Sequence, residues 1–289
     1  NSGTISGRNV TQITAQNINN QGRINANQLN LQAVNDLNNI GGTLDANTSA
    51  NIQAGHDINV TSTTSSASSQ FGSQTIVNRV AGIYVGDGAN GLMGDTPANT
   101  LVIQAGNNVN LIAAQIDNAG MGNTVIKATN GDVNLSTVNV ANTDTYYRDS
   151  RNGHSVSETA DVGSNINGVG NVTLVAGHDV NATAANVNSD TGTLAVVAGN
   201  DINISTGDAT RNTVADSYEK NSGFLSSKQT TIHSDSSSNT AIASNFTGST
   251  VVLNAGHDAN ITGSNVVSDE LTSISANNNV NIVSATNTE

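Results

Sequence analysis

Three histidines stand in one recurring context. His56, His178 and His257 each follow Ala-Gly and precede Asp, in Ala54-Gly55-His56-Asp57, Ala176-Gly177-His178-Asp179 and Ala255-Gly256-His257-Asp258. Imidazole beside carboxylate is a donor set for zinc and for general acid–base work. The histidines lie 122 and 79 positions apart. If about 20 residues make one layer of a stack, more than about 10 Å separates them, whereas zinc ligands sit about 2 Å from one ion. They are read as turn residues, and no metal is expected. The motif aspartates Asp57, Asp132, Asp179, Asp201 and Asp258 raise calcium, but the Gly-Gly-x-Gly-x-Asp density of calcium-binding repeats is missing. Asp149 and His154 lie near Ser150 and Ser155, a proximity expected in so Ser-rich a chain. No nucleophile elbow, P-loop or dinucleotide fingerprint is present. No catalytic residue, cofactor or metal is therefore assigned.

The elements that position these residues are copies of one unit. The histidine copies are joined by Ala105-Gly106-Asn107-Asn108-Val109-Asn110-Leu111, Ala198-Gly199-Asn200-Asp201-Ile202-Asn203-Ile204, Ala276-Asn277-Asn278-Asn279-Val280-Asn281-Ile282 and, with one extra residue, the stretch from Ala128 to Leu135. Apolar alternation precedes each, as in Leu101-Val102-Ile103-Gln104-Ala105, and resumes after it. Period-two alternation is a strand with one buried face. Gly followed by Asn or Asp is turn chemistry, which suits Gly for positive φ. On this reading Gly55, Gly106, Gly177, Gly199 and Gly256 with Asp57, Asp179, Asp201 and Asp258 form the turns.

From Ala105 to Ala128 is 23 positions, from Ala176 to Ala198 is 22, and from Ala255 to Ala276 is 21. One coil of a parallel β-helix holds about that many residues, whereas a propeller blade takes roughly 40. The fold expected is all-β, a parallel β-helical solenoid. Stacking at about 4.8 Å then sets Asn59, Asn110, Asn134, Asn181, Asn203, Asn260 and Asn281 in one amide-bonded column.

Residues 1–60 read as regular coils of about 20 residues, with Gly3-Thr4-Ile5, Gly22-Arg23-Ile24 and Gly42-Thr43-Leu44 as equivalent starts. Ile18-Asn19-Asn20 and Leu37-Asn38-Asn39 look like the same phrase as Ile116-Asp117-Asn118. Over 61–289 coils alternate with longer inserts near 61–100, 136–170 and 205–249. These intervals hold all seven aromatics, namely Phe71, Tyr84, Tyr146, Tyr147, Tyr218, Phe224 and Phe246, and six of the nine basic residues. Tyr84 reads as part of a core strand, Tyr146, Tyr147 and Tyr218 as exposed. Per-repeat insertions commonly form the binding face. The candidate interaction surface is Tyr146, Tyr147, Arg148, Arg151, Tyr218, Lys220, Phe224 and Lys228.

Composition bounds the rest. The net charge is −13 and no basic patch is visible, so nucleic acid is not expected as a partner. There is no cysteine, hence no disulfide framework. No apolar run approaches the roughly 18 residues of a membrane span. The chain opens inside a repeat, as expected of one segment of a longer protein.

The Ala-Gly-His-Asp-Ile-Asn-Val unit, Gly41-Gly42-Thr43-Leu44-Asp45-Ala46, Val80-Ala81-Gly82-Ile83-Tyr84-Val85 and the run Tyr218 to Lys228 resemble the haemagglutinin repeats of filamentous haemagglutinins. The order of these phrases is most similar to the second repeat region of contact-dependent growth inhibition exoproteins. The resemblance implies a right-handed β-helical filament, secreted to the cell surface by an outer-membrane two-partner secretion transporter. It implies a non-enzymatic segment that helps deliver a C-terminal toxin across a target cell's outer membrane, with that membrane or a surface receptor as partner. An adhesin shaft binding host cells or matrix is the alternative, a polysaccharide-active β-helix enzyme a further one. Self-association through the solenoid ends is also open.

Overall fold

The computed structural model describes residues 1–86 and 99–289. All named elements among them are strands. Parallel pairing builds three columns, and the chain visits them in order nine times.

Column one holds Thr4–Ser6, residues 23–26 and 43–46, Gly82–Val85, Gln115–Asn118, Asn165–Gly168, and residues 186–189, 245–248 and 265–268. Column two holds Val10–Ala15, residues 28–33 and 49–54, Thr100–Ala105, Thr124–Ala128, Val172–Ala176, and residues 194–198, 250–255 and 271–276. Column three runs from Ile18–Asn20 and Leu37–Ile40 through Ile58–Thr61, Val109–Ile112, Val133–Ser136, Val180–Thr183, Ile202–Ser205 and Ala259–Thr262 to Val280–Val283. Thr43–Ala54 and Asn186–Ala198 each run through columns one and two, so the pairings of these columns close into a ring.

Identical residues lie over one another. Ala15, Ala33, Ala54, Ala105, Ala128, Ala176, Ala198, Ala255 and Ala276 form one file at the end of column two. Beside it Leu31, Ile52, Ile103, Ile126, Leu174, Val196 and Leu253 are all at most 1% exposed. The core is one residue thick in each pass, so small and medium apolar side chains fill it, and burial proceeds layer by layer.

The motif glycines are needed for a reason other than the one read from the sequence. None has positive φ. A Cβ on Gly106 would lie 2.0 Å from the Gly55 carbonyl oxygen, and one on Gly256 2.0 Å from that of Gly199. The turn backbones of successive passes touch and pair, Gly106 N–H donating to Ala54 O and Gly256 N–H to Ala198 O. Close approach of two backbones, not a left-handed turn, excludes the side chain.

Left-handed residues occur elsewhere, at the corner after column three. Gly41, Ala113, Ala184 and Gly263 take positive φ there in passes two, four, six and eight. In passes three, five and seven the chain leaves that corner as an antiparallel hairpin. These arms are Thr63–Ser69 with Gly72–Arg79, Val138–Asp149 with Asn152–Val162, and Gly207–Ser222 with Ser227–Ile242.

Several sequence boundaries change. Gly82–Val85, Asn165–Gly168 and residues 245–248, read as insert, belong to column one, because the hairpins close earlier than the motif spacing suggests. Phe246 is accordingly the largest fully buried side chain, between Val187 and Val266 in column one. Tyr84 lies in a column-one strand with its half-exposed ring over Gly82. Ile116-Asp117-Asn118 is a column-one strand, whereas Leu37-Asn38-Asn39 is column three, so the two phrases are not equivalent. Part of the first interval, 87–98, lies outside the described residues.

Candidate functional site

The three arms form one sheet. Ala141–Asp144 pairs antiparallel with residues 72–75, and Gly153–Ala160 with residues 209–216, giving six strands in continuous order. The geometry makes this commensurate. Stacked passes are about 4.8 Å apart, so arms leaving every second pass emerge about 9.6 Å apart, and a two-stranded hairpin is about 9.6 Å wide. Adjacent arms therefore meet edge to edge. Side chains reinforce the seam between the second and third arms: Arg211 donates to Glu158 at 2.8 Å, and the Thr159 and Thr210 hydroxyls lie 2.7 Å apart.

The arms lengthen in chain order. Their strands hold 7 and 8, then 12 and 11, then 16 and 16 residues. Each tip thus extends past the one before, and each carries exposed apolar groups. Phe71 is 60% exposed on the first, Tyr146 and Tyr147 are 53% and 68% exposed on the second, and Phe224 and Leu225 are 102% and 92% exposed on the third. Phe71, one of the insert aromatics, and Leu225 lie outside the surface expected from sequence. The Phe71-Gly72 and Gly223-Phe224 steps were the available signals.

The other surface candidates fall around these tips. Arg148 and Arg151 flank the second, with Asp149 accepting from Asn152 and Arg151; these bonds hold its carboxyl below the usual carboxylate range. Lys220 and Lys228 stand exposed on either side of Phe224. Tyr218, expected exposed, is only partly so. The Arg151 guanidinium lies over its ring at 4.5 Å, and its backbone N–H donates to Asn152 Oδ1 at 2.7 Å, so it joins the second and third arms. An open trough of about 680 Å³ crosses the arm sheet nearer its base, lined by Val77, Val140, Ala160, Ala209 and Arg211 among others.

The arms are anchored by three buried serines that composition could not single out. Ser62 Oγ donates to Ala113 O and accepts from Ala81 N–H. Ser164 and Ser244 play the same part after the second and third arms, bonding Leu111 O with Ala114 N–H, and Ser205 O with Ala185 N–H.

The columns carry two polar files. In the first, Asn38, Asn59, Asn110, Asn134, Asn181, Asn203, Asn260 and Asn281 each donate Nδ2 to the Oδ1 of the preceding asparagine, beginning at Asn19, at 2.8–3.0 Å. In the second, Asn17, Asp36, Asp57, Asn108, Asp132, Asp179, Asp201 and Asp258 each accept the backbone N–H of the equivalent residue one pass on, at 2.8–3.2 Å. The N–H of Asp258 is the main reason the Asp201 carboxyl is held low, with His257 adding to it.

The motif histidines pair with carboxylates across passes, not with one another. Each meets carboxylates of its own pass and the preceding one. His178 Nδ1 lies 3.0 Å from Asp132 Oδ1 and 3.1 Å from Asp179 Oδ2, which raises its pKa, Asp132 contributing most. The signal available in sequence was Asp36, one coil before Asp57.

Residues 145–288 match the hemagglutinin repeat family. Two curated relatives, each named tRNA nuclease CdiA, from Escherichia coli O6:K15:H31 (strain 536 / UPEC) and E. coli strain NC101, are each 38% identical over 71 residues, 25% of this chain. That match spans 2% of the length of either relative. No solved structure matches. The third arm, its neighbour's return strand and the last four passes thus lie in the matched region, which marks this part of the chain as similar to hemagglutinin repeats.

Proposed function

We propose that the three columns are the faces of a right-handed parallel β-helix, a non-enzymatic shaft, and that the arm sheet is its contact surface. In-register parallel pairing through nine passes supports the shaft. The longer protein is exported through an outer-membrane two-partner transporter to the cell surface, and this segment helps pass a C-terminal toxin across a target cell's outer membrane. The stepped tips carry that reading. Phe224 and Leu225 stand almost wholly in solvent between Lys220 and Lys228, in a chain of net charge −13. Apolar groups flanked by cations suit an interface with an anionic, amphipathic surface.

The test uses a Phe224→Ser/Leu225→Ser double variant and a Lys220→Gln/Lys228→Gln double variant. Both are expected to keep the far-ultraviolet circular dichroism of the parent and to lose binding to anionic lipid vesicles, and toxin delivery in the full-length exoprotein. Unchanged binding and delivery in both would overturn the assignment of the tips. Fibre diffraction of aligned material is expected to give a strong reflection near 4.8 Å along the long axis.

An adhesin shaft is the second reading, and the 680 Å³ trough favours it. Its apolar floor and Arg211 rim fit an extended ligand laid across the arm strands. Retained cell attachment by the tip variants, with loss on Ala160→Glu, would support adhesion in place of delivery.

A further inference from the structure

The histidine–aspartate clusters offer donor geometry that hydrogen bonding alone does not use well. We infer that His56 with Asp36 and Asp57, His178 with Asp132 and Asp179, and His257 with Asp201 and Asp258 are three equivalent sites for a divalent transition-metal ion such as Zn²⁺.

Each site presents one imidazole nitrogen and two carboxylate oxygens, all within 4.8 Å of one another. The nitrogen-to-oxygen separations are 3.1 and 3.1 Å, 3.0 and 3.1 Å, and 3.1 and 3.4 Å. Ligands bound at about 2.0–2.2 Å to one ion lie roughly 2.8–3.6 Å apart around tetrahedral or octahedral zinc. Both nitrogen-to-oxygen edges of each site therefore fit a common ion.

The donor count points the same way. In all three clusters the same nitrogen, Nδ1, faces both carboxylates. Nδ1 carries at most one proton and can make one well-directed hydrogen bond. Two anionic oxygens converging on it are better answered by a dication than by a shared proton. The outer oxygens are already committed: Asp57 Oδ1 accepts from Asn107 and Asn108, and Asp179 Oδ1 from Asn200 and Asp201. These bonds hold the carboxylate of the histidine's own pass with its Oδ2 toward the ring, while the carboxylate of the preceding pass meets the ring with Oδ1, whose other contact is one backbone N–H. The histidines are 61%, 58% and 53% exposed, leaving room for an ion and its water ligands. Imidazole with carboxylate selects borderline metals over Ca²⁺ or Mg²⁺, which take oxygen ligands.

Each ion would bridge two passes, since one carboxylate comes from the layer before the histidine. The same molecule supplies its own control. Passes four, seven and nine carry Asn107, Asn200 and Asn278 at the histidine position, and each donates Nδ2 to the preceding aspartate's Oδ1. Asparagine therefore keeps the interlayer bond and removes the metal ligand.

The test is calorimetric titration of the intact 289-residue chain with Zn²⁺, repeated with Co²⁺ and read by visible absorption. Three equivalents are expected to bind, with a rise in melting temperature. His56→Asn, His178→Asn and His257→Asn are each expected to lose one equivalent, and the triple variant all three, with unchanged circular dichroism. Should the triple variant misfold, the stepwise loss in the single variants still decides. Absence of saturable binding to the parent chain, or equal stoichiometry in the variants, would overturn the inference.

Discussion

Residues 100–105 and residues 227–242 are both strands, yet they use their side chains in opposite ways. In Thr100–Ala105 every second residue is buried, with Leu101, Ile103 and Ala105 at 0% exposure. In Ser227–Ile242 the first eleven residues are all exposed. The columns pair in parallel with neighbours on both sides and share a core. The arms pair antiparallel and have little core beneath them. Parallel sheets need burial and antiparallel sheets tolerate a wet face, so one chain can carry a stiff interior and a polar, adaptable appendage. Stability should reside in the columns, and surface contact in the arms.

The widest gap between the regions should appear in side-chain truncation. Phe246→Ala removes the largest buried side chain and is expected to lower stability by about 3–5 kcal/mol, read from denaturant midpoints. Phe224→Ala at the third tip should leave the midpoint unchanged, because its ring is 102% exposed. Equal losses from the two would mean that the arm is as integral to the fold as the columns.

A methyl group on glycine sharpens the same contrast. At Gly106 the added Cβ meets the Gly55 carbonyl oxygen at 2.0 Å, backbone against backbone, so two passes must separate. A loss of about 2–3 kcal/mol is expected from Gly106→Ala, within the range of disruptive core changes. At Gly223 the nearest atom is 3.6 Å away. Gly223→Ala should be within about 0.5 kcal/mol of the parent. Comparable effects at both would refute close approach as the reason for glycine in the motif.

Why some of this could be read from sequence and some not follows from where each partner lies. Asn59 and Asn110 stack because both sit at one place in the same motif, so a period search finds them. Of the aspartate file, the motif spacing shows Asp57, Asp132, Asp179, Asp201 and Asp258 but not Asn17 or Asp36, and its bonds join a side chain of one pass to a backbone of the next, a direction that spacing does not carry. The arms show in the sequence as long intervals between motifs that hold the tip aromatics, Tyr146, Tyr147 and Phe224. Their union into one sheet did not, since it depends on two passes being as wide as one hairpin. Phe246 was misplaced because a buried residue just after a hairpin looks, in one dimension, like part of it. Ser62, Ser164 and Ser244 were lost among many serines, distinguished only by burial at the arm roots.

A smaller effect is expected from the asparagine file. Asn110 accepts from Asn134 and donates to Asn59, partly buried on both sides. Asn110→Ala breaks both bonds and should cost about 1–2 kcal/mol. The Asn221 side chain in the third arm donates to the exposed Glu219, and Asn221→Ala should be neutral by the same denaturation measurement. A neutral Asn110→Ala would show that the amide ladder marks register without contributing stability.

The finest distinction is in pH response. His233 in the third arm bonds Asp216 across the hairpin and Asp235 on its own strand, and Asp216 is the larger cause of its raised pKa. A histidine whose folded pKa is raised stabilises the fold fully below the unfolded value, near 6.5. That contribution is lost as pH rises through the folded value. All three groups are in solvent, so the effect should be local to the arm and screened by salt. Observed by nuclear magnetic resonance, the His233 ring is expected to titrate above 6.5, and Asp216→Asn should bring its midpoint down. Local opening of residues 213–216 and 233–236, corrected for intrinsic exchange, should become more frequent as pH rises through that midpoint, while column amides such as those of Ile103 and Leu174 stay protected. A His233 midpoint at or below 6.5, or loss of protection in arm and columns together, would contradict an arm that opens without its columns.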